Sequence, residues 1–193
     1  MRLFFAIELP PELVEAAARA QAHIRAAVGD DGVRWVRPEQ MHLTLKFLGE
    51  VPVQRAHRAV DAAHSVRIGH NVFELALGAV GAFPSASRPS TLWLGISTGH
   101  DAVVALAGDL NEALARERFP ADRRALTPHL TMARVRSYAG EAAAGRAMGS
   151  AVVAPTRSAA VGRFVLMKST LGRSGSAYDV VDAFPLRGGD DMG

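Results

Sequence analysis

Two short stretches hold residues whose types and spacing could do chemistry: His42-Leu43-Thr44-Leu45 and His129-Leu130-Thr131-Met132. Both read histidine, apolar, threonine, apolar, and they lie 87 positions apart. A paired imidazole is the equipment for in-line displacement at phosphorus, where a base deprotonates the nucleophile on one side and an acid protonates the leaving oxygen on the other. Because the unperturbed imidazole pKa is about 6.5, one member of the pair can be neutral and the other protonated near neutral pH. The threonine hydroxyls can donate to the non-bridging phosphate oxygens as charge builds in the transition state. Protonated imidazole and hydroxyl donors would stand in for a Lewis acid, and no carboxylate cluster with metal-ligand spacing accompanies either motif, so neither a metal nor a cofactor is expected.

Such a pair works only if strands hold it. Met41 to Leu48 alternates as a strand, which predicts His42, Thr44 and Lys46 on one face and Leu43, Leu45 and Phe47 on the other. The same rule groups His129, Thr131 and Ala133 and turns Arg134 away, unless the strand bends or ends there. Around these strands the spacing predicts a buried strand from Arg2 to Leu9 and a helix from Pro11 to about Val28. It also predicts a short strand over Val33 to Val36, a helix from Pro52 to about Val66, and strands over Phe73 to Phe83 and Thr91 to Ser97. Then come a helix from about Asp101 to Arg118, a basic loop with Arg123 and Arg124, a short helix over Glu141 to Met148, and strands over Ala159 to Lys168 and Tyr178 to Phe184. The tail over 188–193 is expected to fray.

A shift of 87 residues lays the helix at 101–118 on 14–31, and the helix at 141–148 on 54–61. The order helix, His-x-Thr-x strand, helix therefore occurs twice. This predicts an α+β fold of two similar lobes, made by internal duplication, each giving one histidine strand to a shared cleft. A chain of 193 residues suits one bilobal domain over 1–193.

Composition narrows the chemistry further. There is no cysteine, which excludes disulfides, thiolate nucleophiles and cysteine-ligated metals. The net charge of +3 suits a polyanionic partner, although the only lysines are Lys46 and Lys168. The apolar run Leu3 to Ile7 is too short for a secretion signal and no stretch is long enough to span a membrane, so a soluble cytoplasmic protein is expected, and separately a monomer. His57 and His64 are seven apart on their helix, unlike metal pairs, and with His23, His70 and His100 read as solvated surface. Trp35, Trp93, Phe5 and Phe83 read mainly as core, with base stacking as the alternative.

Both motifs, with their surroundings, resemble the two-histidine phosphoesterases, in particular the RNA 2′,3′-cyclic phosphodiesterases, also called the 2′-5′ RNA ligase family. The resemblance spans nearly the whole chain. Its other carriers are Arg2 to Ile7 with Leu9-Pro10, Trp35-Val36, Lys46 to Gly49, Leu92 to Gly95, Pro128 to Arg134, Ser169-x-Leu171, Gly175-x-x-Tyr178 and Phe184 to Leu186. It implies two antiparallel sheets facing each other across a central cleft, with helices outside. It implies RNA with a 2′,3′-cyclic phosphate end as substrate and a 2′-phosphate as product, with His42 as proton donor, His129 as proton acceptor, and Thr44, Thr131 and Arg134 binding substrate. Alternatives on the same cleft are ATP-independent 2′-5′ joining of tRNA halves, hydrolysis of small cyclic nucleotides, and a nucleotide-binding module without turnover. No phosphate loop or adenylylated-lysine motif supports an ATP-dependent ligase.

Overall fold

The computed structural model describes residues 1–149, 151–172 and 175–188. The expected frayed tail lies, beyond Gly188, outside the described residues. In chain order the elements are β1 (Arg2–Glu8), α1 (Pro11–Val28), β2 (Val33–Trp35), a 3₁₀ turn (Pro38–Gln40), β3 (His42–Glu50), α2 (Val53–Arg67), β4 (Phe73–Pro84) and β5 (Pro89–Thr98). There follow α3 (His100–Arg116), β6 (Leu130–Val135), α4 (Tyr138–Met148), β7 (Ala159–Val161), β8 (Arg163–Gly172) and β9 (Gly175–Pro185).

Local chemistry sets the element ends. Proline at the first position opens α1, where its missing N–H is no loss, and Gly29 at φ 82° stops it. Gly99, also left-handed at φ 83°, starts α3, and a Cβ there would sit 2.3 Å from the Glu74 carbonyl oxygen. Ser137 caps α4 by accepting a bond from Gly140 N–H at 3.1 Å. The predicted strand over 159–168 is divided at Gly162, because β7 pairs with β4 while β8 pairs with β1 and β9. One straight strand could not reach both partners.

The strands form a curled antiparallel sheet in the order β7-β4-β5-β6-β3-β1-β8-β9, with β2 added to β6. Its two halves, one per lobe, are joined at a seam of a single register pair, Leu43 opposite Leu130. Both motif strands therefore lie side by side at the centre, each on its own lobe. The helices cross over. α1 packs with α4 over the β4-β5-β6 half, and α3 packs with α2 over the β3-β1 half. Each lobe thus combines strands and helices from both halves of the chain.

The main core lies between sheet and helices, with Leu3, Phe5, Ile7, Leu43, Leu92, Leu94, Leu130 and Met132 beneath Leu13, Ile24, Leu106 and Leu110. A second, small cluster of Phe4, Ala6, Val165 and Met167 fills the other face of β1 and β8. No helix among the described residues is long and apolar enough to cross a membrane.

Candidate active site

The motif strands depart from simple alternation at equivalent places. Between β1 and β3 the register steps from Phe5 opposite Lys46 to Ala6 opposite Thr44, passing over Leu45. Between β5 and β6 it steps from Leu92 opposite Ala133 to Trp93 opposite Thr131, passing over Met132. Leu45 and Met132 are the fourth residues of their motifs and again lie 87 apart. A bulge of this kind sends two consecutive residues to the same face and resets the alternation beyond it. Leu45 with Lys46, and Met132 with Ala133, are accordingly buried pairs.

Two expectations change as a result. Lys46 borders the cavity but does not present its amine there: it is 2% exposed and its Nζ donates to Asn111 Oδ1 at 2.9 Å, to Pro120 O at 2.8 Å and to Asp122 Oδ2 at 2.8 Å. Arg134, which alternation turned away, is carried back to the motif face and lines the same cavity as both histidines. Its counterpart across the duplication is Phe47, 63% exposed in that cavity. One side of the cleft carries a cation where the other carries a ring.

The Met132 bulge has its own support. Its carbonyl accepts from Val36 N–H at 2.8 Å and from Gln21 Nε2 at 2.9 Å, and the same Gln21 amide donates to Val36 O at 2.7 Å. Gln21, buried on α1, thus ties the bulge to the chain after β2.

The histidines are held alike. His42 Nδ1 lies 2.8 Å from Gln40 O, and His129 Nδ1 lies 2.8 Å from Thr127 O. A carbonyl can only accept, so each Nδ1 carries a proton, and in the neutral ring each Nε2 is the basic nitrogen. Neither Nε2 has a hydrogen-bond partner among the described residues. Aromatic rings set the planes: Phe4 at 5.0 Å and Tyr178 edge-on at 5.2 Å for His42, Phe83 edge-on at 4.9 Å and Trp93 at 6.1 Å for His129. Trp93 lies flat over Gly81, where a Cβ would come within 2.1 Å of the indole. Burial pushes the His42 imidazole below its usual pKa, its bond to Gln40 partly opposes this, and the Arg134 charge adds to the lowering.

Together these elements enclose a cavity of about 520 Å³. His42, Thr44, His129, Thr131 and Arg134 all line it, so the five residues singled out in the sequence are brought to one place. Phe47, Tyr178 and Gln40 line it too, and sequence reasoning did not place them there. For Phe47 the signal would have been a bulge, which alternation does not reveal. Gln40 both supplies the carbonyl under His42 and donates through its amide to Ser176 O on β9, which holds the Tyr178 strand against the motif. Phe5 is core, and Trp35 donates Nε1 to Gly29 O beside Arg25. His23, His57, His64 and His100 are exposed, and His70 pairs with Asp109 at 2.9 Å. Among the described residues, no three His, Asp or Glu side chains are grouped to hold a metal ion.

Comparison with known proteins agrees with this architecture. The chain is 30% identical to an RNA 2′,3′-cyclic phosphodiesterase of Thermus thermophilus, over 97% of this chain and 91% of that one. It superposes on a crystal structure of a Thermus thermophilus protein with a TM-score of 0.79 and 28% identity, covering 97% and 98% of the two chains. It superposes on E. coli LigT complexed with 3′-AMP with a TM-score of 0.73 and 28% identity, covering 96% and 97%. The model of the LigT-like phosphoesterases matches residues 7–93 and again residues 94–178, once per half of the duplication. With both halves matched and both motifs facing one cavity, the chain belongs to the LigT-like phosphoesterase family.

Proposed function

We propose that this protein hydrolyses RNA 2′,3′-cyclic phosphate ends to 2′-phosphates, without a metal, through His42 and His129. The observation that carries the reading is the matched pair of imidazoles, each fixed through Nδ1 to a backbone carbonyl and each with Nε2 unpartnered among the described residues, in one cavity. His129 Nε2 takes a proton from water as its oxygen attacks phosphorus. The P–O3′ bond breaks, His42 Nε2–H protonates the departing O3′, and phosphorus keeps O2′. Thr44 and Thr131 donate to the non-bridging oxygens, and Arg134 binds them through its fork of N–H groups. Burial and the Arg134 charge favour neutral His42 in the free protein, so its role as donor requires that the bound phosphate anion offset both and charge the ring. Phe47 and Tyr178 offer rings for the terminal base, in keeping with the 3′-AMP complex of E. coli LigT.

The test is to give the purified protein RNA ending in 2′,3′-cyclic phosphate, with a chelator present, and to identify the product. A 2′-phosphate that is lost in both His42→Ala and His129→Ala is expected. Turnover that survives either substitution, or that stops with the chelator, refutes the reading. Joining of two RNA ends would use the same residues, with a 5′-hydroxyl in place of water.

A further inference from the structure

A second cavity, of about 670 Å³, opens beside the first and shares His129, Leu45, Leu126 and Asp122 with it. Its volume is within the range of small-ligand clefts, about 300–1,000 Å³, and far more than an attacking water needs. One wall is α3, at Ala107, Gly108 and Asn111; the other is the 122–127 loop with Arg123 and Arg124. Gly108 leaves the α3 wall of this space open. Under the 87-residue shift it is the counterpart of Gln21, whose side chain reaches Val36 O and Met132 O in the other lobe, and a Cβ at Gly108 would meet nothing within 4 Å.

Charge decides what the groove suits. Arg123 and Arg124 are exposed and make no ion pair among the described residues. The one carboxylate in the lining, Asp122, is already paired with the buried Lys46 at 2.8 Å. The net balance is positive, on a surface continuous with the site that takes the terminal phosphate.

Resting on the function proposed above, we infer that this groove holds the neighbouring nucleotide of the same RNA chain, with its phosphodiester on Arg123 and Arg124. The groove is then what distinguishes a polynucleotide end from a free cyclic nucleotide.

The experiment compares kcat/KM for a cyclic mononucleotide and for a short oligonucleotide ending in 2′,3′-cyclic phosphate, in wild type, Arg123→Ala/Arg124→Ala and Gly108→Leu. Wild type is expected to prefer the oligonucleotide, and the preference to fall about tenfold in each variant, the size expected for one charge-assisted phosphate contact. Replacing a helical glycine with leucine favours the helix, so Gly108→Leu keeps the test valid if the double variant fails to fold. Anisotropy of a labelled oligonucleotide bearing a 3′-phosphate, across salt, needs no turnover. Its log–log salt slope should become shallower by about 0.7 in the double variant, the value for one phosphate contact on a single strand. Absence of turnover in wild type would refute the proposed function while this slope still tests the groove. An unchanged preference with an unchanged slope overturns the inference. So does selective inhibition by a separate 5′-hydroxyl oligonucleotide that depends on Arg123 and Arg124, since the groove would then serve a second strand.

Discussion

Replacing Gln21 with leucine tests whether the Met132 bulge is what delivers Arg134 to the cleft. The leucine keeps most of the volume but removes both hydrogen bonds of the amide, to Val36 O and to Met132 O. The two losses are unequal. Met132 O retains Val36 N–H at 2.8 Å, whereas no other partner of Val36 O is found among the described residues. One ordinary hydrogen bond contributes about 0.5–1.5 kcal/mol, and stranding a part-buried acceptor costs up to about 3 kcal/mol, so the substitution should destabilise by about 2–4 kcal/mol. For a chain of this size that lowers Tm by roughly 4–16 °C, read by calorimetry or thermal circular dichroism. Activity carries the sharper readout. If Gln21 acts by holding the bulge, Gln21→Leu should raise KM, and should add little to Arg134→Ala, because both remove the same guanidinium contact. Losses that multiply in the double variant, or a Gln21→Leu protein as stable as wild type, would refute the reasoning.

Three further outcomes follow from the site. Thr44→Val and Thr131→Val keep the β-branched shape and remove one donor each, so each should lower kcat by about 10²–10³-fold with little change in Tm. His42, followed by proton NMR, should titrate below the ordinary imidazole value in the free protein and move up when 3′-AMP binds; a downward shift would contradict its role as donor. The same sign governs stability. Folding favours neutral His42, so stability is full above the unfolded histidine pKa and falls as pH drops through the lower folded value, a decline that His42→Phe should flatten. A substrate with sulfur in place of the bridging O3′ leaves readily without protonation, so it should restore turnover to His42→Ala and not to His129→Ala. Rescue of His129→Ala alone would exchange the two roles.

The duplication was readable because both halves keep the same period and the same motif. Element types were readable where proline, glycine and alternation mark them, as in α1 between Pro11 and Gly29. Three things were not, and they share a cause: each depends on pairing between distant segments. The bulges at Leu45 and Met132 exist only in register against β1 and β5, so alternation exchanged the places of Lys46 and Phe47 and turned Arg134 outward. The division at Gly162 follows from which strands receive β7 and β8. The crossing of α1 and α3 to opposite lobes is set by packing, which an amphipathic pattern leaves unaddressed. Among the aromatics, Phe47 was hidden by the same register effect and Tyr178 by the pairing that brings β9 to the cleft, while Phe83 and Trp93 support His129 instead of forming core alone.

The crossed helices bear on how such a molecule could arise. A single repeat, ending near the boundary at residue 93, would send α1 away from its own motif strand and leave that strand without the helix that covers it here. Its apolar face would stay open to water unless a second copy lent the missing helix and received one in return. With this packing, a chain of half this length would need a second copy to cover its motif strand, with one motif histidine in each. Fusing the two genes would have freed the copies to diverge, and Arg134 opposite Phe47, and Gln21 opposite Gly108, are positions where that freedom is visible.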